Sequence, residues 1–417
     1  MGEDTATVRI AHLGHVGDGV AELGGHPLYV PYTLPGEEVR IELESEGRAR
    51  AVEILTPSPA RIAPACVHFG TCGGCALQHM APGAYADWKR DQLAAALAAR
   101  GLKTDIAPLV SIAPQTRRRA SFAATRTRKG VTLGYYEPAS HRIVPVQTCP
   151  VLRPEIEQAL PRLGQLVAPG LSRKGRVSIA VTMTANGLDV HVTGGIADPS
   201  LAIRETLAQS ARALDLARLT WGEEIIAARR PPSIDLSGVA VTPPPGAFLQ
   251  ACAEAEATLI RLVGEAVGPA KSVLDLFAGC GTFTLALARR ASVRAIDSVG
   301  PQLEALAAAV RAQGPGLGLK PIVTERRDLA HRPLLPDEMA RTEAVIFDPP
   351  RSGAKAQAEQ LARAAVPKIA AVSCNPATFA RDARTLVDGG YRLTHITPVD
   401  QFLWSPHIEL VGVFSRE

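Results

Sequence analysis

The chain has 417 residues, of which 46% are hydrophobic, 21% charged and only 4% aromatic, and its formal net charge is +4. This length exceeds what one ordinary core supports, so the chain should divide into several domains, and the composition excludes a disordered protein. The mildly basic balance permits a nucleic-acid partner without requiring one.

The chain offers no obvious targeting or membrane segment. Residues 1–4 carry acidic side chains where a signal peptide would carry positive charge, and no apolar segment follows them. The longest uncharged stretch, about residues 236–253, contains three consecutive prolines and is not expected to span a membrane. We therefore expect a cytoplasmic protein whose seven cysteines are reduced and call for a metal or catalytic explanation.

Residues 1–58 alternate short β-rich runs with glycine-containing turns. The runs predicted as strands are residues 8–10, 27–30, 39–43 and 51–54. This pattern predicts a small β-barrel of the oligonucleotide-binding type, which offers RNA a strand face and loops. A barrel with a purely structural role would have the same pattern.

The segment 59–82 is rich in Pro, Gly and Cys and lacks periodicity, which predicts an irregular loop held by something other than packing. Cys66, Cys72 and Cys75 have the spacing C-x5-C-x2-C, and Cys149 supplies a distant fourth thiol. Four thiolates suit either a zinc ion or a [4Fe-4S] cluster, and their spacing does not choose between the two.

Residues 83–245 are expected to form an α+β middle domain that begins with a helix around residues 88–100. Between residues 111 and 130 this region contains a basic strip without any acidic residue, made of Arg117, Arg118, Arg119, Arg126, Arg128 and Lys129. A cluster of one charge sign favours phosphate binding, although surface charge without a partner would give the same pattern.

From residue 246 to the end, short apolar strands alternate with helical stretches. The predicted strands cover residues 272–277, 293–296, 344–347 and 369–373. This order is typical of a doubly wound α/β domain, in which ligands bind at the carboxyl ends of the strands.

The first of these strands runs into a glycine turn that opens a helix. Gly279 and Gly281 let the backbone approach a ligand closely, but Thr284 stands where a dinucleotide fingerprint would require a third glycine. The next strand ends in Asp297, whose carboxylate is placed to accept the hydroxyls of a ribose. The pattern therefore argues against NAD and favours S-adenosylmethionine.

Two later strands end in residues that carry chemistry. Asp348 stands on a stiff Pro-Pro turn, where rigidity favours positioning, and Cys374 follows the next strand. A lone cysteine is usually a small core residue, but this position at the same sheet edge favours a nucleophile. Addition of its thiolate to C6 of a uracil would make C5 nucleophilic toward a methyl group, after which a base must remove the C5 proton.

The candidate base is Glu409, which lies between apolar residues that would raise its pKa if it is buried. His407 is a competitor for this role. A polar group on an edge strand with no catalytic role is the alternative for each.

At these residues the sequence resembles the uracil-C5 RNA methyltransferases of the RumA/TrmA type, over nearly the whole chain. The resemblance rests on Asp-Pro-Pro-Arg at 348–351, Ser-Cys-Asn-Pro at 373–376 and His-Ile-Glu at 407–409. It implies a class I (Rossmann-like) methyltransferase domain at residues 246–417 and an N-terminal RNA-binding TRAM domain. It also implies that Cys374 is the nucleophile and Glu409 the base.

The same resemblance implies a set of residues that bind S-adenosylmethionine: Gln250, Phe277, Thr282, Asp297, Asp328 and Asp348, beside the glycines of the turn. Asp297 stands where the family more often has Glu, which should keep ribose binding. Cys252 replaces the common Asn after the Phe-x-Gln segment, and this edge of the site is less well defined by the resemblance.

The four cysteines resemble the [4Fe-4S] site of the ribosomal RNA enzymes of this family, whereas the tRNA enzymes usually lack it. The resemblance therefore implies 23S rRNA as substrate. We also expect a monomer that works without a membrane. A tRNA uracil-C5 methyltransferase and, from another class, a non-catalytic RNA-binding assembly factor are the alternatives.

Overall fold

The computed structural model describes residues 5–416 except Lys129 and Lys174. Its N-terminal part is a sheet with the strand order β1-β5-β6-β4-β3-β2. Its strands are β1 (Thr5–Arg9), β2 (His12–Leu13), β3 (Gly19–Leu23), β4 (His26–Val30), β5 (Glu38–Ser45) and β6 (Arg48–Thr56). The four predicted strand runs lie in β1, β4, β5 and β6, while β2 and β3 were not predicted. A closed barrel of the TRAM type stays a prediction.

A helix and two short strands follow the cysteine-containing loop. They are α1 (Pro82–Ala98), β7 (Asp105–Ile106) and β8 (Val110–Ser111). We predicted that these elements belong to the middle domain, but in the structure they pack against the C-terminal sheet. Both strands pair with a strand near the C-terminus, and Leu93 and Leu97 of α1 are buried in the core of the C-terminal sheet.

The middle part contains a second sheet, with the order β11-β10-β9-β12-β13-β14-β15. Its elements are β9 (Arg119–Thr127), β10 (Gly130–Tyr136), β11 (Ile143–Pro145), α2 (Pro154–Val167), β12 (Arg176–Thr184), β13 (Gly187–Gly194), α3 (Leu201–Ala213), β14 (Arg218–Trp221) and β15 (Glu224–Ala228). Helix α2 packs its apolar face on this sheet through residues such as Ile156 and Leu163. A hairpin of β16 (Ile234–Leu236) and β17 (Val239–Val241) connects it to the C-terminal part.

The C-terminal part is the doubly wound sheet that the sequence predicts. Its elements are α4 (Ala253–Val267), β18 (Ser272–Leu276), α5 (Thr282–Leu287), β19 (Ser292–Asp297), α6 (Gly300–Leu317), β20 (Ile322–Arg326), β21 (Ala344–Phe347), α7 (Lys355–Leu361), β22 (Lys368–Ser373), α8 (Pro376–Asp388), β23 (Arg392–Asp400) and β24 (Glu409–Ser415). The order is β20-β19-β18-β21-β22-β24-β23-β7, with β8 also paired to β23.

Strands β18 to β22 run parallel, and β24 is antiparallel to both β22 and β23. Alternate residues of the central strands face two different cores, as the period of two in a β-strand requires. Leu274 and Val345 pack beneath α1, α7 and α8, whereas Val273 and Ile346 pack against α4 and α5. Because the chain starts at β18 and winds outward in both directions, the switch point lies between β18 and β21.

Within the part of the chain that the structure describes, no helix is both long and apolar enough to cross a membrane.

Candidate active site

The carboxyl ends of four parallel strands bring acidic residues and a cysteine to one edge of the sheet. Asp275 lies in β18, Asp297 ends β19, Asp348 follows β21 and Cys374 follows β22. These groups act on one another electrostatically: Asp297 raises the pKa of Asp275, Asp275 raises that of Asp348, and Asp348 raises that of Cys374. The structure therefore brings the predicted residues close together at one edge of the sheet.

The glycine turn after β18 is held by the carboxylate of Asp297. Gly279 N donates to Asp297 Oδ2 at 2.9 Å, and Val299 N donates to Asp297 Oδ1 at 2.8 Å. Gly281 has a φ of 95°, and a Cβ there would lie 2.6 Å from Leu306 Cδ1, so the position requires glycine. Helix α5 then begins at Thr282. Each oxygen of Asp297 accepts one backbone hydrogen bond and has capacity for another, which suits its predicted role toward a ribose.

Phe277 and Asp275 form the floor of this turn. Phe277 has a φ of 64°, which is uncommon for a residue other than glycine, and it packs against the core beneath α1 and α8. Asp275 is fully buried and accepts a hydrogen bond from Thr284 Oγ1. Burial raises the pKa of Asp275 to about 7, with a smaller contribution from Asp297. Strain and a buried carboxylate are both concentrated at the predicted cofactor end of the sheet.

A chain of hydrogen bonds runs from Asp348 to Glu409 through two glutamine side chains. Gln250 Nε2 donates to Asp348 Oδ2 at 3.0 Å, and Gln401 Nε2 donates to Gln250 Oε1 at 2.9 Å and also to Glu409 Oε2. Gln250 is one of the predicted residues. Gln401 was missed, although its position at the end of a buried strand is the kind of signal that identified Asp348 and Cys374.

Cys374 lies directly before helix α8 and is half-buried. Asn375 caps this helix, since its Oδ1 accepts from Ala377 N at 3.0 Å, and its Nδ2 donates to the carbonyl of Arg351 at 3.2 Å. Burial raises the pKa of the Cys374 thiol to about 11, and the nearby Glu409 and Asp348 contribute, while Arg351 opposes the rise. A helix N-terminus and an arginine are the features that favour a thiolate when a substrate covers it.

Glu409 begins β24 and is 3% exposed. Burial raises its pKa well above the usual range, with a further contribution from Asp348, and the hydrogen bond from Gln401 opposes this rise. Its Oε1 has no hydrogen-bond partner among the described residues. A buried carboxylate with one unengaged oxygen is suited to accept a proton.

The competitor His407 is engaged differently. Its Nδ1 lies 3.0 Å from Arg351 Nη2, and burial together with Arg351 lowers the pKa of the ring to about 4. The ring is therefore held as a neutral partner of an arginine. The geometry favours Glu409 over His407 as the base.

Asp328 does not join this buried group. It follows β20, is exposed, and accepts from Ala330 N at 3.0 Å. Its Oδ2 lies 2.8 Å from His331 Nδ1, and this contact lowers the pKa of Asp328. Its predicted contact with the cofactor stays a prediction.

The four predicted ligand cysteines surround one cavity of about 350 Å³. Cys66, Cys72, Cys75 and Cys149 all line it, and each is half-buried. Burial raises the pKa of Cys75 to about 12, and the other three thiols contribute to this rise. Among the described residues, no three His, Cys, Asp or Glu side chains are grouped tightly enough to hold a single metal ion.

The cysteine-containing loop contacts the loop that precedes Glu409. Ala76 N and Leu77 N donate to the carbonyl of Trp404 at 2.9 and 3.0 Å, and Trp404 N donates to Tyr85 Oη of α1 at 2.9 Å. Trp404 has a φ of 58°, an unusual conformation for a bulky residue, and these three bonds hold it there. His407 lines both the cysteine cavity and the cavity beside Cys374.

The basic strip is not one surface. Arg118 is buried, and it donates to Glu256 Oε2 at 2.6 Å and to the carbonyl of Gln250 at 3.2 Å, so the prediction that it binds phosphate is wrong. Arg119 is half-buried, with its guanidinium 5.6 Å from the centre of the exposed Phe248 ring. Among the strip residues that the structure describes, Arg126 and Arg128 are exposed, while Lys129 lies outside the described residues.

Comparison with known proteins identifies the family. The chain is 46% identical over 415 residues to an uncharacterized RNA methyltransferase of Caulobacter vibrioides, with 97% of this chain and 98% of that protein covered. It is 35% identical over 436 aligned positions to the 23S rRNA (uracil(1939)-C(5))-methyltransferase RlmD of Alkalilimnicola ehrlichii, with 98% of this chain and 96% of that protein covered. The chain belongs to the family of RNA uracil-C5 methyltransferases.

Two further likenesses concern the family model and the fold. The family model described as tRNA (uracil-5-)-methyltransferase matches residues 335–417, the part that contains Asp348, Cys374 and Glu409. The crystal structure of a Pyrococcus abyssi tRNA (uracil-54, C5)-methyltransferase, solved with S-adenosyl-L-homocysteine, has a TM-score of 0.73 at 24% identity and covers 98% of this chain and 100% of that one. The second likeness shows that the two chains share a fold.

Proposed function

We propose that this protein transfers a methyl group from S-adenosylmethionine to C5 of a uridine in 23S rRNA. The observation that carries the proposal is the meeting of Cys374 and Glu409 at one end of the sheet, where burial raises the pKa of both groups and the neighbouring Asp348 contributes to both rises. A nucleophile and a base in one cleft are the minimum that this reaction needs.

Cys374 acts first in the proposed mechanism. Its thiolate adds to C6 of the uracil, which turns the ring into an enolate and makes C5 nucleophilic. The raised thiol pKa means that the thiolate is scarce until the substrate, Arg351 and the N-terminus of α8 stabilise it. The thiol is therefore activated mainly within the complex with RNA.

S-adenosylmethionine, when bound, supplies an electrophilic methyl group. Asp297, Gly279, Gly281 and Thr282 are the residues that would hold its nucleoside at the glycine turn, and Phe277 and Asp328 would flank it. Gln250 and Asp348 lie between that turn and Cys374, and they orient the uracil or the cofactor through hydrogen bonds.

Glu409 completes the reaction. Once C5 carries the methyl group, the carboxylate removes the remaining C5 proton, and the thiolate of Cys374 leaves C6. Burial and the neighbouring Asp348 make this carboxylate a stronger base than an exposed glutamate would be.

The cysteine cavity fits a [4Fe-4S] cluster. Each iron of such a cluster takes one thiolate, so its four ligands surround a space and do not converge on a point. Cys66, Cys72, Cys75 and Cys149 all line one cavity, which supports a group that takes four thiolate ligands. Held there, the cluster would tie the irregular loop to the middle domain.

The relative that acts on 23S rRNA is similar along the whole chain, and the four cysteines fit the cluster expected for ribosomal RNA enzymes, which supports 23S rRNA as the substrate. The N-terminal sheet and the exposed Arg126 and Arg128 supply surface for RNA. Because one chain carries the nucleophile, the base and the residues of the cofactor turn, we propose that it works as a monomer.

The substrate assignment is tested by offering the purified protein labelled S-adenosylmethionine with unmodified 23S rRNA and, separately, with unmodified tRNA. We expect labelled 5-methyluridine in 23S rRNA alone. Label only in tRNA would identify a tRNA enzyme, and RNA binding without label in either substrate would identify an assembly factor. Mapping 5-methyluridine in rRNA from a strain that lacks the gene then gives the nucleotide.

A further inference from the structure

Gln401 is the residue that joins the two halves of the cleft. It follows directly after β23 and is 2% exposed. Its Oε1 accepts from Ala251 N at 3.2 Å, and its Nε2 donates to Gln250 Oε1 at 2.9 Å and to Glu409 Oε2. An amide nitrogen has two hydrogens, so both are used here.

While Glu409 is ionised, as the base must be, these contacts favour one orientation of the Gln401 amide. If the amide were turned over, its oxygen would face the carboxylate of Glu409 and the oxygen of Gln250, and its nitrogen would face the N–H of Ala251. Acceptors would then oppose acceptors and a donor would oppose a donor in a buried site, which costs the desolvation of every group involved. The surroundings of Gln401 therefore fix its amide, and the fixed amide can orient the side chains of Gln250 and Glu409.

The two carboxylate oxygens of Glu409 differ in their hydrogen bonding. Oε2 receives the hydrogen bond from Gln401, whereas Oε1 has no partner among the described residues. We propose that Gln401 is a positioning residue that holds Glu409 through Oε2 and leaves Oε1 as the atom that accepts the C5 proton. This inference rests on the proposed function, because it takes Glu409 as the base.

The step served by this arrangement is the release of the product. The C5–H bond breaks and its proton goes to Glu409 Oε1. The electron pair of that bond forms the C5=C6 double bond, and the C6–S bond breaks with its pair leaving on the sulfur of Cys374. A carboxylate free to rotate would present either oxygen at varying angles, and the proton transfer would slow.

Gln401 has a second effect on the same carboxylate. Its hydrogen bond opposes the rise in the pKa of Glu409 that burial and Asp348 cause. Without it, more of the carboxyl group would be protonated and unable to take a proton. Loss of either effect would slow the same step, the removal of the C5 proton that releases the product.

The test is replacement of Gln401 by Met, which keeps the length of the side chain but removes all three hydrogen bonds. We expect kcat to fall ~10- to 100-fold while the KM values for RNA and S-adenosylmethionine change less than ~3-fold. A denaturing gel during turnover should show a covalent protein–RNA band that carries the methyl label. Gln401→Leu removes the same three hydrogen bonds with a branched apolar side chain, so it should also accumulate the band.

Gln357→Met is the matched control, because Gln357 is another buried glutamine of the same sheet domain, and among the described residues its amide bonds to Leu334 and Met339. It should lose stability without accumulating the band. Normal turnover of both Gln401 variants, or slow turnover without the band, would overturn the inference. If Glu409→Gln traps the band and the Gln401 variants do not, only this inference fails, whereas failure of Glu409→Gln to trap it defeats the proposed base itself.

Discussion

Lys89 and Asp400 form an ion pair in the protein interior, although 311 residues separate them in the chain. Each side chain is 1% exposed, and the ammonium group also donates to the carbonyl of His407 at 2.7 Å. Helix α1 thereby holds both ends of the loop between β23 and β24, the loop that leads to Glu409. The pair positions the candidate base from a distant part of the sequence.

Replacing Lys89 by Met should destabilise the protein, because the carboxylate of Asp400 would stay buried without its partner. We expect a loss of ~3 to 5 kcal/mol in the free energy of unfolding by urea, and a smaller loss in Lys89→Met combined with Asp400→Asn. Tryptophan fluorescence is a suitable signal, since Trp88 and Trp404 lie on the two elements that the pair joins. Equal losses in the single and double variants would mean that the uncompensated charge is not the cause.

Glu409→Gln should separate the two halves of the reaction. Cys374 can still add to C6 and C5 can still take the methyl group, but the C5 proton is no longer removed efficiently. A denaturing gel should show a persistent protein–RNA band that depends on S-adenosylmethionine and carries the methyl label. Cys374→Ala should show no such band under any condition, and a band in that variant would remove Cys374 as the nucleophile.

Asp348→Asn should abolish methyl transfer without harming the fold. The side chain keeps its size, and its carboxylate form is disfavoured where it lies, since burial and Asp275 raise its pKa to about 7. We expect activity to fall ~100-fold or more and the melting temperature to stay the same or rise. Asp348→Ala should lose methyl transfer as well. Near-normal activity in either variant would show that this carboxylate plays no part in the reaction.

The reactivity of Cys374 toward iodoacetamide should depend on the charges of its neighbours. Burial raises the pKa of the thiol to about 11, and the negative charges of Glu409 and Asp348 contribute to this rise. Removing either negative charge stabilises the thiolate relative to the thiol, so Glu409→Gln and Asp348→Asn should each shift the alkylation midpoint to lower pH. Mass spectrometry of the peptide that contains Cys374 measures the rate, and an unchanged or higher midpoint would contradict the assignment.

Purified without oxygen, the protein should be brown, absorb near ~400 nm and contain iron. Cys72→Ser should lose the colour and the order of its loop. Cys374→Ala is the matched control, because it removes a half-buried thiol outside the cavity and should keep the colour. Stoichiometric zinc without iron would contradict the cluster.

The sequence could predict the residues at the edge of the sheet because parallel strands bring their carboxyl ends together whatever the rest of the fold does. Asp297, Asp348 and Cys374 each follow a recognisable apolar strand, and geometry alone makes them neighbours. Strand β24 runs antiparallel beside β22, so its first residue, Glu409, lies at the edge where β22 ends.

What the sequence could not predict depends on contacts between distant segments. Nothing near Lys89 signals a partner at Asp400, and a helix such as α1 has the same local pattern in whichever domain it packs. Arg118 stands among other arginines in the sequence, but a buried Glu256 from helix α4 takes it into the interior. Gln401 carries no charge, and its role can be recognised only from its hydrogen bonds to Ala251, Gln250 and Glu409 in the fold.

The pairing of β7 and β8 with β23 has a consequence for how the protein folds during its synthesis. Leu93 and Leu97 of α1 leave the ribosome early, but the sheet that buries them is finished only when the last strands appear. The N-terminal and middle sheets can form in the meantime, while this apolar helix face waits exposed to water. Such long-range closure is slow and open to aggregation, so the newly made chain should need a chaperone most while strands β22 to β24 are still emerging.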